Sequence, residues 1–135
     1  MRCIAILADD AEPIVEHRIA DWAGMRQLVG GYLETIVTRQ LADLAATCGN
    51  APYQPRYGAS ERPGLVLCVD GDGHPKALPP NRRASSFYAG GVVGMALLLG
   101  EGLVDSDDGF YEVDTISLPD AVSVDAVVSY LTARS

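Results

Sequence analysis

The chain reads as an α+β domain built on one mostly antiparallel sheet, and three observations predict it. Short apolar runs are separated by Asp-Gly, Gly-Gly and Pro-Pro breaks, which suits strands joined mainly by hairpins. Two runs, 65–69 and 92–99, are almost continuously apolar and fit buried strands. Helical spacing of apolar residues is clearest near the two ends, giving a helix in the N-terminal half, a C-terminal helix and a short Asn-capped helix between them.

The elements follow in order. Cys3 to Ala8 suits a first strand, Asp9-Asp10-Ala11-Glu12-Pro13 a turn, and Ile14, Val15, His17 and Ile19 a looser second strand. Asp21 opens a helix carrying Trp22, Met25, Leu28 and Val29 at helical spacing, and Gly30-Gly31 stops it. The next stretch has two readings. Leu33, Ile36, Val37, Leu41, Leu44 and Cys48 fit one helical face, whereas Thr35-Ile36-Val37-Thr38 is a β-branched cluster that favours a strand. From 49 to 63 the chain is irregular and rich in proline and tyrosine. Leu65–Val69 reads as a central strand, followed by an Asp-Gly turn, a short return strand, a Pro79-Pro80 break and an Asn81-capped basic helix. Gly90-Gly91 precedes the second buried strand, Val92–Leu99. Asp105-Ser106-Asp107-Asp108-Gly109 makes a turn, and Phe110–Ser117 returns as a strand. Pro119 marks the start of a closing amphipathic helix through Val124, Val127, Val128 and Leu131.

A chain of 135 residues is one domain's worth, and 48% hydrophobic with 21% charged residues places it in the globular class. No basic-then-apolar signal pattern opens it, and its longest apolar run falls far short of the roughly 20 residues that span a bilayer. A cytoplasmic protein with no membrane partner is the expectation. A net charge of −8 argues against nonspecific nucleic-acid binding, which needs a basic footprint to neutralise phosphates. Cys3, Cys48 and Cys68 are odd in number and lack metal-ligand spacing, so three reduced thiols are expected.

Most apparent motifs fail on their chemistry. Asp70-Gly71-Asp72-Gly73 begins like a calcium loop, but its fifth and twelfth positions are His74 and Asn81 where oxygen ligands belong. Asp105–Gly109 fails likewise. Gly90-Gly91-Val92-Val93-Gly94 lacks the Gly-Lys-Ser/Thr of a phosphate loop and leads into a strand pattern. His17 and His74 have no local partner at a metal-ligand spacing, no nucleophile elbow is present, and Cys68 lies mid-strand. No catalytic set, metal site or cofactor is expected.

Two constellations survive. Asn81, Arg82, Arg83 and Ser85 place two guanidiniums and a hydroxyl beside a helix start, the densest positive spot of an acidic chain and a candidate anion site. The competing reading is structural, with Asn81 pinning the helix, Ala84 packing and the arginines paired to carboxylates. Trp22 and the Gly30-Gly31-Tyr32 turn form a candidate ligand wall, because glycine lets backbone approach a planar group closely. Otherwise Trp22 is the core anchor of its helix and Gly30-Gly31 merely its stop.

Three strings occur in sequence: Leu28-Val29-Gly30-Gly31-Tyr32-Leu33-Glu34, then Val69-Asp70-Gly71-Asp72-Gly73-His74-Pro75-Lys76 running on to Asn81-Arg82-Arg83-Ala84-Ser85, then Gly94-Met95-Ala96-Leu97-Leu98-Leu99-Gly100. In this order they resemble the domain-of-unknown-function 3846 family of phages, plasmids and conjugative elements. The resemblance implies a strand directly after Gly30-Gly31, hence a strand near 32–38 and a helix near 39–48. It also marks 49–63 as an irregular insertion in a single domain, 1–135. It implies an accessory protein of a mobile element and carries over no catalytic residue. The expectation is a non-enzymatic binding module for a small anionic ligand, such as a nucleotide, or for a host factor in defence modulation. The alternatives are an acidic inhibitor occupying a nucleic-acid site on a host restriction or defence protein, and a small hydrolase or transferase. Helices on one face of an antiparallel sheet would leave a face or an edge to cover, so a two-fold homodimer is also expected.

Overall fold

In the computed structural model, which describes residues 1–105 and 111–134, the chain runs β1 (Arg2–Ile6), β2 (Val15–Arg18), α1 (Trp22–Val29), β3 (Leu33–Ile36), α2 (Arg39–Thr47) and β4 (Leu65–Asp70). A 3₁₀ turn (Ala84–Phe87), β5 (Ala96–Asp105), β6 (Tyr111–Ile116) and α3 (Val124–Ala133) follow. The strands form one sheet in the order β2-β1-β5-β4-β3, with β6 paired to β5 off that path. Every pairing among them is antiparallel, which is the α+β architecture the sequence predicts. β5 is the spine: Leu98 lies between Ile4 of β1 and Leu67 of β4. Beyond Gly100 the strand continues with β6 as its partner, pairing Leu103 with Val113.

Successive side chains of a strand point to opposite faces, so the apolar runs of β1, β4 and β5 supply both. Ile4, Ile6, Leu65, Leu67, Val69, Ala96 and Leu98 face α2, Phe87 and α3. Cys3, Ala5, Val66, Cys68, Leu97 and Leu99 face Ile19 and the α1 residues Met25 and Val29. The expected wet face is therefore absent: helices cover both faces of the sheet. Leaving the α1 side open would expose Val66, Leu97 and Leu99, each worth about 1.5–3 kcal/mol on burial. Of the face or edge from which self-association is inferred, the uncovered face is absent, and the edge strands β2 and β3 remain.

The helix boundaries follow local chemistry. Asp21 Oδ1 accepts from the Gly24 amide at 2.9 Å, and Gly30 ends α1 in the left-handed region at φ 107°. Thr38 Oγ1 accepts from the Leu41 amide at 3.2 Å to open α2, and Ser123 Oγ accepts from the Ala126 amide at 3.1 Å to open α3. The strand and helix expected near 32–38 and 39–48 are thus both present as β3 and α2.

Five local expectations are corrected. No return strand follows Asp70; the chain instead coils through turns, with Lys76 N donating to Asp72 O and Leu78 N to Gly73 O. The basic helix is only the four-residue 3₁₀ turn Ala84–Phe87. The second buried strand starts at Ala96 rather than Val92, because Val92 and Val93 pair back onto Asn81 and Pro80. Pro119 lies in the turn before α3, which begins at Val124. Trp22 is 40% exposed, and Met25 and Val29 anchor α1 instead. The turn expected at 105–109 lies, apart from Asp105, outside the described residues.

All three cysteines are unpaired, and burial raises each thiol pKa, that of Cys68 to about 12. A neutral, buried thiol is a poor nucleophile. Alkylation of the folded protein should spare Cys3 and Cys68 and label only the half-buried Cys48, whereas unfolding without reductant should release about three titratable thiols. Fewer thiols on unfolding would mean that a disulfide has formed.

Candidate functional site

The two sets of residues that the sequence singles out are anchored by separate contacts. Asn81 is fully buried. Its Nδ2 donates to Ile6 O at 2.8 Å and Gly94 O at 2.9 Å, and its Oδ1 accepts from the Ala84 amide at 3.0 Å. Asn81 thus ties the end of β1, the segment entering β5 and the 3₁₀ turn at one point. Ser85 Oγ donates to Asn81 O at 2.7 Å and accepts from the Val92 amide at 2.8 Å. Both side chains are used inside the fold, so neither is offered to a ligand.

The arginines beside them differ in role. Arg83 is mostly buried and donates to the carbonyls of Glu12 at 2.8 Å, Leu7 at 2.9 Å and Asp9 at 3.0 Å. It pins the 7–12 loop. Arg82 is 84% exposed and reaches Asp10 at 2.7 Å. Arg134, just past α3, lies 4.2 Å over the Tyr130 ring and 3.4 Å from Asp43. Arg82, Arg83 and Arg134 line one cleft of about 360 Å³ with Ser86 and Leu131. Sequence reasoning missed Arg134 because it lies some fifty positions from Arg83, and only the docking of α3 joins them.

Gly30, Gly31 and Tyr32 meet the 70–76 turn instead. Lys76 Nζ donates to Gly30 O at 2.8 Å and to the buried Asp70 carboxylate at 2.6 Å, while Asp70 accepts a second bond from the Asp72 amide at 2.9 Å. The Lys76 hydrogen bond, aided by that amide, holds the Asp70 carboxyl below the usual range against the opposing effect of burial. Gly71 N donates to Tyr32 O at 2.7 Å, and a Cβ at Gly71 would sit 2.5 Å from Tyr32 Cδ1, so a side chain there would displace the Tyr32 ring. Tyr32 is 67% exposed and lines an open groove with Trp22, Arg26, Gly31 and Leu33. The wall of Trp22 and Tyr32 therefore exists as an exposed surface, with the glycines shaped by Lys76 and the 70–76 turn.

A third cluster went unseen in the sequence. Glu101, 8% exposed on β5, accepts from Tyr53 Oη at 2.7 Å and from Arg62 Nη2 at 2.9 Å, with Arg62 Nε also in contact. Burial, then the bond to Glu101 and its charge, raise the Tyr53 pKa to about 12. Tyr53 and Arg62 are bridged backbone to backbone, so the 49–63 segment is clamped onto β5 by this triad. Their separation in sequence gave no signal. Among the described residues no set of three His, Cys, Asp or Glu side chains converges as a metal site.

Compared with known proteins, the chain matches no family model, no curated sequence and no solved structure. The family resemblance therefore rests on its ordered strings alone.

Replacing Asn81 by Ala would orphan two buried carbonyls and one amide, each costing about 1–3 kcal/mol. Asn81→Ala should lower stability by about 3 kcal/mol or more in urea unfolding, and Asn81→Asp should not restore it, because a carboxylate cannot donate to Ile6 O and Gly94 O.

Lys76→Met should cost about 2 kcal/mol at pH 7, less than the 3–5 of a fully buried pair because Lys76 is partly exposed. The depressed Asp70 pKa stabilises the fold above the ordinary carboxylate value of about 4, and that contribution is lost as pH falls through the folded value. The gap between wild type and Lys76→Met should accordingly narrow below about pH 4; a gap constant from pH 7 to 3 would exclude the ion pair as its source.

Proposed function

We propose that the protein is a non-enzymatic binding module for an anionic ligand, seated in the cleft of Arg82, Arg83 and Arg134. The observation that carries this reading is the convergence of three guanidiniums on a chain of net charge −8. Arg82 and Arg134 are paired to partly exposed carboxylates, Arg134 also resting on the Tyr130 ring, and such surface pairs are worth about 0–1 kcal/mol each. A phosphate can displace them and gain charge-assisted bonds of about 1.5–3 kcal/mol each. Arg83, held by three carbonyls, supplies fixed positive charge behind them. The ordered strings shared with the domain-of-unknown-function 3846 family support placing this module among accessory proteins of phages and mobile elements. A small molecule or a host factor presenting an anionic group would be its partner there.

Charge distribution favours a second reading. Residues 84–133 contain eight acids and no Lys, Arg or His, so the whole net charge of the chain resides in that stretch. Within it, the paired ends of β5 and β6 expose Leu103, Val113, Asp105 and Glu112. An acidic surface with apolar contacts suits a protein that occupies a nucleic-acid site on a basic host protein. Salt-sensitive competition with DNA for such a host protein would favour this reading over the first.

The first reading is tested by melting the protein against phosphate-bearing ligands. A ligand at 100 times its Kd should stabilise by about 2.7 kcal/mol. Arg82→Gln combined with Arg134→Gln should abolish that shift while moving basal stability by no more than about 0.5 kcal/mol. Arg83→Gln should instead destabilise the apoprotein by about 3 kcal/mol, through the lost carbonyl bonds. A ligand shift that survives the Arg82/Arg134 double variant would overturn the proposal.

A further inference from the structure

A second space adjoins the arginine cleft, and its chemistry specifies the rest of the ligand. A groove of about 480 Å³ runs between the 10–14 loop and the outer side of α3, and it shares Arg83 and Leu131 with the cleft. Its walls are aliphatic, with Pro13 and Ile14 on one side and Val128 and Leu131 on the other. Val128 is 40% exposed, an apolar side chain on α3 directed to this groove rather than to the core. Among the described residues no aromatic ring lines it, and the Tyr130 ring of α3 is covered by the Arg134 guanidinium. A nucleobase gains most from an aromatic stacking platform, which is missing here. An aliphatic chain needs only apolar walls.

Positive charge lies toward the cleft end, where Arg82 and Arg134 stand, while Glu12 borders the aliphatic part. Asp10 lies between them, paired to Arg82 at 2.7 Å, and an anionic head gains the arginines by taking the place of that exposed carboxylate. We infer that the ligand of this site is a single-chain amphiphilic anion, its phosphate or carboxylate head at Arg82 and Arg134 and its alkyl chain along Ile14, Val128 and Leu131. The inference rests on the anion site proposed above and narrows it from anions in general to alkyl phosphates and carboxylates free in solution.

The test is calorimetric titration of the intact chain with methyl, butyl, hexyl and octyl phosphate below their micellar concentrations, beside octanol and a nucleoside monophosphate. Affinity should rise up to about fourfold per methylene until the groove is filled, the factor expected when each buried CH₂ contributes about 0.8 kcal/mol. Octyl phosphate should bind at least tenfold more tightly than octanol or the nucleotide. Val128→Asp should flatten the chain-length dependence without changing methyl phosphate binding, and Val128→Ser provides the same readout should the charged variant melt early. Equal affinity for all the alkyl phosphates, or tighter binding of the nucleotide, would overturn the amphiphile and leave the anion site standing. Binding of octanol equal to that of octyl phosphate, or no binding of any phosphate, would overturn the anion site itself. A chain-length dependence unchanged in both Val128 variants would place the chain outside this groove and end the inference.

Discussion

The structure depends on one buried amide. Asn81 sits at zero exposure where the end of β1, the approach to β5 and the 3₁₀ turn meet, and its side chain satisfies one backbone group from each. Buried carbonyls without donors are costly, so any other arrangement of these three segments would leave a deficit. No other residue of similar size offers two donors and an acceptor in one rigid plane. Through this point the position of Arg82 and Arg83 relative to the sheet is set, and with it the cleft they line. A residue that reads as a helix cap is in effect the junction of the fold.

Arginine has two uses in the molecule, distinguished by what its guanidinium faces. Arg83 faces backbone carbonyls and Arg2 likewise reaches Pro119 O and Val122 O, so both hold loops against the sheet. Arg82 and Arg134 face carboxylates at the surface, where solvent weakens the pair and an exchange of anions costs little. Fixed charge behind displayed charge suits the anion site proposed above, because the fixed member needs no reordering when a ligand arrives. Acids and bases balance outside residues 84–133, and that stretch carries the entire net charge. α3 belongs to that acidic stretch, yet it turns Val128 and Leu131 rather than an acid to the groove.

The sheet is covered on both sides, and that decides what surface remains for partners. α1 closes one face with only two fully engaged residues, Met25 and Val29, while α2, Phe87 and α3 close the other. What is left open is the β5–β6 end, held against the 49–63 segment by the Tyr53–Arg62–Glu101 triad. A carboxylate buried there is tolerable only because a guanidinium and a phenol satisfy it together.

The sequence by itself determined the α+β class, the start and stop of α1 and the closing helix, whereas for 32–48 its residues left strand and helix open and only the family resemblance put a strand after Gly30-Gly31. The first three follow from apolar periodicity and from caps that act over three or four residues, so local chemistry is enough to specify them. It identified Asn81, Arg82 and Arg83 as a unit, but it could not separate the pinning arginine from the displayed one. Only the tertiary structure decided that the sheet is buried on both faces, since a continuous apolar run has no polar alternate to mark an open side. The same is true of the Val92–Gly94 segment, where pairing with Pro79–Asn81 overrode a strand-like run. Arg134 joins Arg83, and Glu101 joins Tyr53 and Arg62, across separations that carry no periodic signal. Charge and hydrogen bonding act through space, and the neighbours they select are fixed only once the helices have docked on the sheet.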